Sequence, residues 1–396
     1  MRTASPGAQR TQLSELADAV RLRLAECGAE PSTSRVAAAL RAQGRPIGDA
    51  DVLEIVRRLR SEMVGAGPLD ELLADPQVTD VLVNGPAEVW VDRGGGLERV
   101  PGVRFADPGA VRRLAQRLAT TAGRRLDDAR PWVDARLADG TRLHAVLPPV
   151  AAGCTHLSLR VARARAFTLP ELVAAKSIPA EGARLLRAML QHRLSFLVSG
   201  GTGTGKTTLL AALLGLVGPG ERIVVAEDSA ELRPDHPHVV RLEARPPNQE
   251  DAGQITLRDL VRQALRMRPD RLVVGEVRGP EVLELLAALN TGHEGGCGTV
   301  HANTAEAVPA RLEALACTAG LDRPALHSQL AAALDAVIHL VRDPTGRRRV
   351  AEIHVLERGP EGLVRTVPAV AFAVGEPEIV PGPAWGRFLD RCGGGR

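Results

Sequence analysis

"LSFLVSGGTGTGKTTLLAALLGL" runs from Leu194 to Leu216, near the middle of a 396-residue chain. Phe196, Leu197 and Val198 make a short apolar run that reads as a buried strand. Leu209 to Leu216 make a longer apolar run that reads as a helix. Between them, Gly200, Gly201, Thr202, Gly203, Thr204, Gly205, Lys206 and Thr207 fit GxxxxGK[ST] at every fixed position. Such glycines permit a tight curve whose backbone N–H groups turn inward toward phosphate oxygens. The helix opens inside that curve, and its first N–H groups favour negative charge. Lys206 is placed to reach the β- and γ-phosphates of a nucleotide. The Thr207 hydroxyl is placed to ligate Mg²⁺, with Thr208 next on the same turn. The loop alone leaves kinase, GTPase, transporter and motor open.

Downstream of the loop, short Val- and Leu-rich runs alternate with helical stretches. "RIVVAED", "RLVVGEV" and "CGTVHAN" read as further strands, with helices over 205–217, 256–268 and 279–290. That alternation predicts an α/β fold whose sheet is covered on both faces. Two of the strands end in acids. "RLVVGE" ends at Glu276, where a carboxylate can hold Mg²⁺ through water or activate an attacking water. "IVVAEDSAEL" ends in Glu227 and Asp228, with Glu231 just beyond. Asp270 precedes its strand and reads as structural. His293 and His301 flank the glycines of "NTGHEGGCGTVHAN", but their spacing matches no zinc motif. A histidine at a strand end suits hydrogen bonding to a phosphate or a catalytic acid instead.

Residues 1–65 read as a helical extension, with Leu13, Leu16, Val20 and Leu24, then Val52, Ile55, Val56, Leu59 and Met63, at helical spacing. Residues 66–165 read as a small α/β domain. Strands turn at Asn84-Gly85-Pro86 and Gly94-Gly95-Gly96, a helix covers 110–122, and a hairpin turns at Asp139-Gly140. Residues 166–180 read as a linker, 181–396 as the nucleotide-binding domain, and 380–386 as a proline-rich surface tail. Aromatic residues make up 2% of the chain and the net charge is +3, so neither base stacking nor a basic surface argues for nucleic acid. Cys27, Cys154, Cys297, Cys317 and Cys392 are scattered and odd in number, which reads as free thiols in a reducing compartment. No apolar run is long enough for a transmembrane helix, and no signal peptide opens the chain.

Four blocks now stand in order: "GGTGTGKTTL", "VVAEDSAEL", "LRMRPDRLVVGEVRGPE" and "TGHEGGCGTVHAN". Together they resemble the Walker A, Asp box, Walker B and His box of the type II/type IV secretion ATPases. The nearest resemblance is to the tight-adherence (Tad) pilus ATPases. The resemblance implies a RecA-like P-loop NTPase core behind a smaller α/β N-terminal domain and a helical extension. By resemblance Glu276 is the water-activating glutamate, Glu227 and Asp228 are the acidic box, and His301 is the His-box histidine with His293 beside it. Arg278 couples the site to its surroundings. Arg136, Arg142 and Arg160, from "PWVDARLADGTRLHAVLPPV" and "LSLR", are the arginines expected to complete the nucleotide cleft from their own or a neighbouring subunit. A planar guanidinium fork suits γ-phosphate charge.

The implied activity is Mg²⁺-dependent ATP hydrolysis by a cytoplasmic homo-hexamer. It would be held at the membrane by a polytopic inner-membrane platform protein and act indirectly on pilins, without direct contact to nucleic acid. A conjugation or DNA-transfer ATPase and a nucleotide-gated structural subunit with negligible turnover are the alternatives. Two departures stand out. Cys297-Gly298 replaces an aliphatic residue followed by Ser or Thr, which is expected to loosen the His box. The four-cysteine metal motif of some type II export relatives is missing.

Overall fold

The computed structural model describes residues 19–20, 32–41, 49–63, 65–161, 166–245, 247, 252–343, 345–373 and 379–394. The chain divides into two compact units, Met1–Arg163 and Ala164–Arg396. The first helical pattern, around Leu13 to Leu24, lies almost wholly outside the described residues.

In the first unit, the helices Thr33–Arg41 and Asp49–Met63 close over Val36, Leu40, Ile55 and Leu59. A six-stranded sheet follows. Its strands are β1 (Asp80–Gly85), β2 (Glu88–Asp92), β3 (Leu97–Arg99), β4 (Trp132–Arg136), β5 (Arg142–Val146) and β6 (His156–Arg160), in the order β3-β2-β1-β6-β5-β4. Every pairing in it is antiparallel. Alternation decides which face is buried, because successive side chains point to opposite sides. Val81, Val83, Leu143, Leu157 and Leu159 face inward and meet Val111, Leu114 and Leu118 of the helix Pro108–Thr121. That helix starts where Asp107 accepts a 2.7 Å hydrogen bond from the Ala110 N–H, with proline at its first position. Each fully buried Leu or Val contributes about 1.5–3 kcal/mol.

The second unit holds a nine-stranded sheet. Its strands are β7 (Phe196–Gly200), β8 (Ile223–Glu227), β9 (Val239–Glu243), β10 (Arg271–Val277), β11 (Cys297–His301), β12 (Ala336–Arg342), β13 (Arg348–Arg358), β14 (Val364–Phe372) and β15 (Ile379–Pro381). The order is β15-β14-β13-β12-β7-β11-β10-β8-β9. From β9 to β12 the strands are parallel. From β12 to β15 they are antiparallel. Helices cover both faces, as the apolar runs required. Ala180–Gln191 and Lys206–Leu214 cover one, through Leu186, Met189, Leu209 and Leu213. Leu257–Ala264, Val282–Leu289, Ala307–Thr318 and Arg323–Ala333 cover the other, through Val261, Leu285, Leu312 and Leu330.

Two segments depart from the sequence reading. Within 166–180, Leu169–Ala174 is a helix opened by a Thr168–Glu171 capping box, and Leu169, Leu172 and Ile178 are buried in the core. The segment 380–386 is no surface tail. It closes β15 and opens the helix Trp385–Arg391, whose Phe388 is fully buried.

Candidate nucleotide site

β7 is buried along its whole length and delivers the chain into the glycine loop. Gly203 and Gly205 hold φ of 71° and 96°, which L-residues with a Cβ rarely adopt. Gly200 is constrained by space as well. A Cβ there would lie 2.6 Å from the Leu340 carbonyl oxygen and 2.7 Å from Thr204 Oγ1. Thr204 Oγ1 donates to the Gly201 carbonyl at 2.9 Å, tying the loop to itself. The helix Lys206–Leu214 begins at Gly205 with no side-chain cap, so its N-terminus faces the curve without a competing side-chain acceptor. Lys206 Nζ donates to the Gly200 and Gly201 carbonyls at 3.0 and 2.9 Å. A glycine cradle, an uncapped helix start and an ammonium folded over the loop fit a polyphosphate with its Mg²⁺.

Around the loop the sheet brings together most of the acidic and basic candidates. His301 ends β11 directly beside Gly200 of β7. Glu276 sits near the end of β10, half-buried, where the register with β11 shifts between Val274 and Val277. Such a bulge re-aims a side chain out of the regular alternation. Thr299 Oγ1 fixes it by donating to the Gly275 carbonyl at 2.7 Å. Asp228 pairs with Arg278 at 2.7 Å, so the acidic segment after β8 is bridged to the end of β10.

Glu227 is buried. Its Oε1 accepts hydrogen bonds from the Glu231 and Leu232 N–H groups, both at 3.0 Å. Oε2 is buried with no partner among the described residues. Burial pushes the Glu227 carboxyl up to about 7, against the two backbone hydrogen bonds and with help from the nearby Glu231 and Glu243 charges. Glu231 therefore contributes its backbone to the loop that Glu227 shapes.

His293 is placed elsewhere. It lies just before β11, its Nδ1 3.3 Å from the Ala288 carbonyl, and its own carbonyl accepts from Gly296 N–H. Gly296 in turn accepts from Phe196 N–H, at the entry of β7. At about 3.3 Å per residue, the length of β11 separates His293 from His301 and from the phosphate loop. Nearness in sequence had put the two histidines together, and the strand between them takes them apart. Gly298 also reads differently in three dimensions. A Cβ there would meet the Val274 carbonyl oxygen at 2.6 Å, so glycine lets β11 close on β10. Cys297 is packed in the core, its thiol pushed up to about 12 by burial.

Two neighbours of the loop carried no sequence signal. Arg348 Cδ lies 3.7 Å from where a Gly205 Cβ would stand, and Arg348 Nε is buried with no partner among the described residues. His339 Nδ1 bonds Ser199 Oγ at 2.8 Å, directly beneath the loop. Both come from the β12–β13 hairpin, more than 130 residues downstream of the loop, where no motif pointed.

In the first unit, Arg160 pairs with Arg142 and Arg142 with Arg136 across β6, β5 and β4. Directly opposed residues share a sheet face. Because Leu143 and Leu159 point into the core, the three arginines line the opposite face in one row, continued by Asp80 on β1.

This phosphate loop, on a parallel sheet with an acid near the end of β10, belongs to a RecA-like P-loop NTPase core. The pilus retraction motor PilT with bound ADP matches it over 81% of this chain and 84% of that one, at a TM-score of 0.51 and 21% identity. The Legionella pneumophila ATPase DotB matches over 76% and 79%, at 0.51 and 18%. Residues 62–367 match the family described as type II/IV secretion system protein, and the chain belongs to that family. A putative conjugal transfer protein of Mycobacterium tuberculosis is 60% identical over 327 residues, 81% of this chain and 92% of that one. The conjugal transfer protein TrbB of Rhizobium radiobacter is 30% identical over 76% and 90%. The type IV secretion system protein PtlH of Bordetella pertussis is 33% identical over 71% and 91%. Among the described residues, no helix is long and apolar enough to cross a membrane.

Proposed function

We propose that this chain is a Mg²⁺-dependent ATPase that drives a membrane-bound secretion or pilus-assembly machine of the tight-adherence type. The observation that carries the reading is Glu276, re-aimed by a bulge on the strand two removed from the glycine loop. Lys206 and the loop N–H groups hold the β- and γ-phosphates, and Thr207 supplies a hydroxyl to Mg²⁺. Mg²⁺ offsets charge on the phosphate oxygens when bound. Glu276 orients water and takes its proton. Glu227, buried and tied to two N–H groups, acts as a positioning residue for the segment that carries Asp228 and Glu231. His301, beside Gly200, reports the state of the γ-phosphate to the segment that follows it. Arg348 is a further candidate for phosphate charge.

Arg136, Arg142 and Arg160 close over the γ-phosphate, from the same chain or a neighbour in a hexameric ring. The cargo reading rests on resemblance: a platform protein in the inner membrane, with pilins moved through it. The names of the relatives favour a second reading, a conjugal-transfer motor with the same chemistry and a different cargo.

Hydrolysis measured per chain across a wide protein-concentration range, with Glu276→Gln alongside, tests the chemistry. The expected result is a steep rise with concentration and a loss of about 10²–10⁴-fold in the variant. Flat, strong activity would remove the shared-site reading. Negligible turnover with and without a membrane platform would leave the nucleotide-gated structural role. Stimulation by added DNA would favour direct action on nucleic acid.

A further inference from the structure

We infer that Glu306, Glu352 and His354 form a binding site for a first-row divalent cation, Zn²⁺ by preference, on the antiparallel side of the second sheet. β13 carries Glu352 and His354 two residues apart, so both point to one face. The helix Ala307–Thr318 packs on that face, and Glu306 immediately precedes it. His354 Nε2 lies 3.1 Å from Glu352 Oε2 and 3.7 Å from Glu306 Oε1. All three ligand atoms lie within 4.8 Å of one another. A tetrahedral ion with bonds of about 2.0–2.1 Å holds its ligand atoms about 3.3 Å apart, a spacing that the 3.1 and 3.7 Å distances bracket.

The second observation is His354 itself. It is 0% exposed; Nδ1 has no partner among the described residues, and Nε2 is met only by the two carboxylates, without an aligned hydrogen bond. Buried polar groups are rarely left so, because desolvation without a partner is costly. Exposure then rises outward, to 26% for the Glu352 side chain and 59% for Glu306. That gradient gives an ion an entry path and leaves a fourth position to water. Two carboxylates neutralise a divalent charge. One imidazole among the ligands favours Zn²⁺ over Mg²⁺, which prefers oxygen donors and keeps its water. His339 lies opposite Glu352 across β12 and β13, but its Nδ1 is engaged by Ser199 and it is not one of the three converging ligands.

The site has a mechanical consequence. Glu306 ends the short segment that leaves His301, whereas His354 and Glu352 are fixed in β13. A bound cation pins that segment to the sheet, beside the strand whose His339 holds Ser199 beneath the phosphate loop.

The test uses the full chain without an affinity tag, stripped with chelator and titrated with Co²⁺ alone, without nucleotide. The expected result is one equivalent bound per chain, with visible absorption of a low-symmetry Co²⁺ that Zn²⁺ displaces. Glu306→Gln, at a mostly exposed side chain that spares the fold, weakens binding at least about tenfold, and His354→Gln removes it. Lys206→Ala leaves it intact. No stoichiometric binding would overturn the site, as would binding indifferent to both Glu306→Gln and His354→Gln. Loss in Lys206→Ala would overturn it too, by placing the ion at the phosphate loop.

Discussion

At the scale of single residues, Glu227 and Gly275 belong together. A Cβ at position 275 would lie 2.5 Å from Glu227 Cγ, so glycine on β10 makes the room that the glutamate on β8 fills. That room is also what desolvates the carboxyl and lifts it to about 7 from 4.5. The sign follows from the direction of the shift. A raised carboxyl holds its proton more tightly folded than unfolded, so its contribution is whole below about pH 4.5 and is lost as pH rises to about 7. Glu227→Gln keeps an acceptor for the Glu231 and Leu232 N–H groups and never ionises. Thermal unfolding without nucleotide should therefore find the variant gaining on the wild type between pH 5 and pH 8, by at most about 3 kcal/mol. An unchanged difference across that range would mean the carboxylate is ionised at little cost. The acid at the end of "RIVVAE" was legible in the sequence. Its burial was not, because burial depends on a glycine brought alongside by strand pairing.

At the scale of elements, the parallel half of the second sheet was legible, because each of its central strands is a short apolar run ending in a chemically marked residue. Gly200, Glu227 and His301 are the last residues of such strands, and Glu276 is the last but one of β10. The antiparallel half carried no such marks. β13 mixes buried Ile353, His354 and Val355 with charged Arg348, Arg349 and Glu352, so neither period stands out. The C-terminal helix Trp385–Arg391 spans seven residues and follows two prolines, Pro381 and Pro383. That is too short for a helical period to show. Yet its Phe388 is fully buried in the core that also holds Leu186 and Phe196. Phe388→Ala should cost about 3–5 kcal/mol, read by urea or thermal unfolding. A loss below about 1 kcal/mol would mean the segment is only laid on the surface, as its prolines suggested.

At the scale of the whole molecule, the proposed chemistry draws on residues of both units. The phosphate loop, Glu276 and His301 belong to the unit 164–396, and the row Arg136, Arg142 and Arg160 to the unit 1–163. Each unit has its own core. The three arginines were legible singly as candidates, but their alignment depends on the β4–β5 and β5–β6 registers, which no spacing in the sequence fixes. If the arginine row serves the phosphate loop as proposed, it does so within one chain or between two copies, and mixing separates the cases. Lys206→Ala removes the phosphate contact of its own loop, and Arg142→Ala removes one arginine of the row. Each variant alone should hydrolyse ATP poorly. In an equal mixture of copies joined head to tail, roughly a quarter of the interfaces would pair an intact loop with an intact row. Recovery of activity well above either variant alone is the expected outcome, and it would place Arg142 in the site of a neighbouring copy. If the mixture stays at the level of its parts while the wild type still gains activity with concentration, the arginine serves its own chain, and assembly acts by closing each site rather than by sharing it.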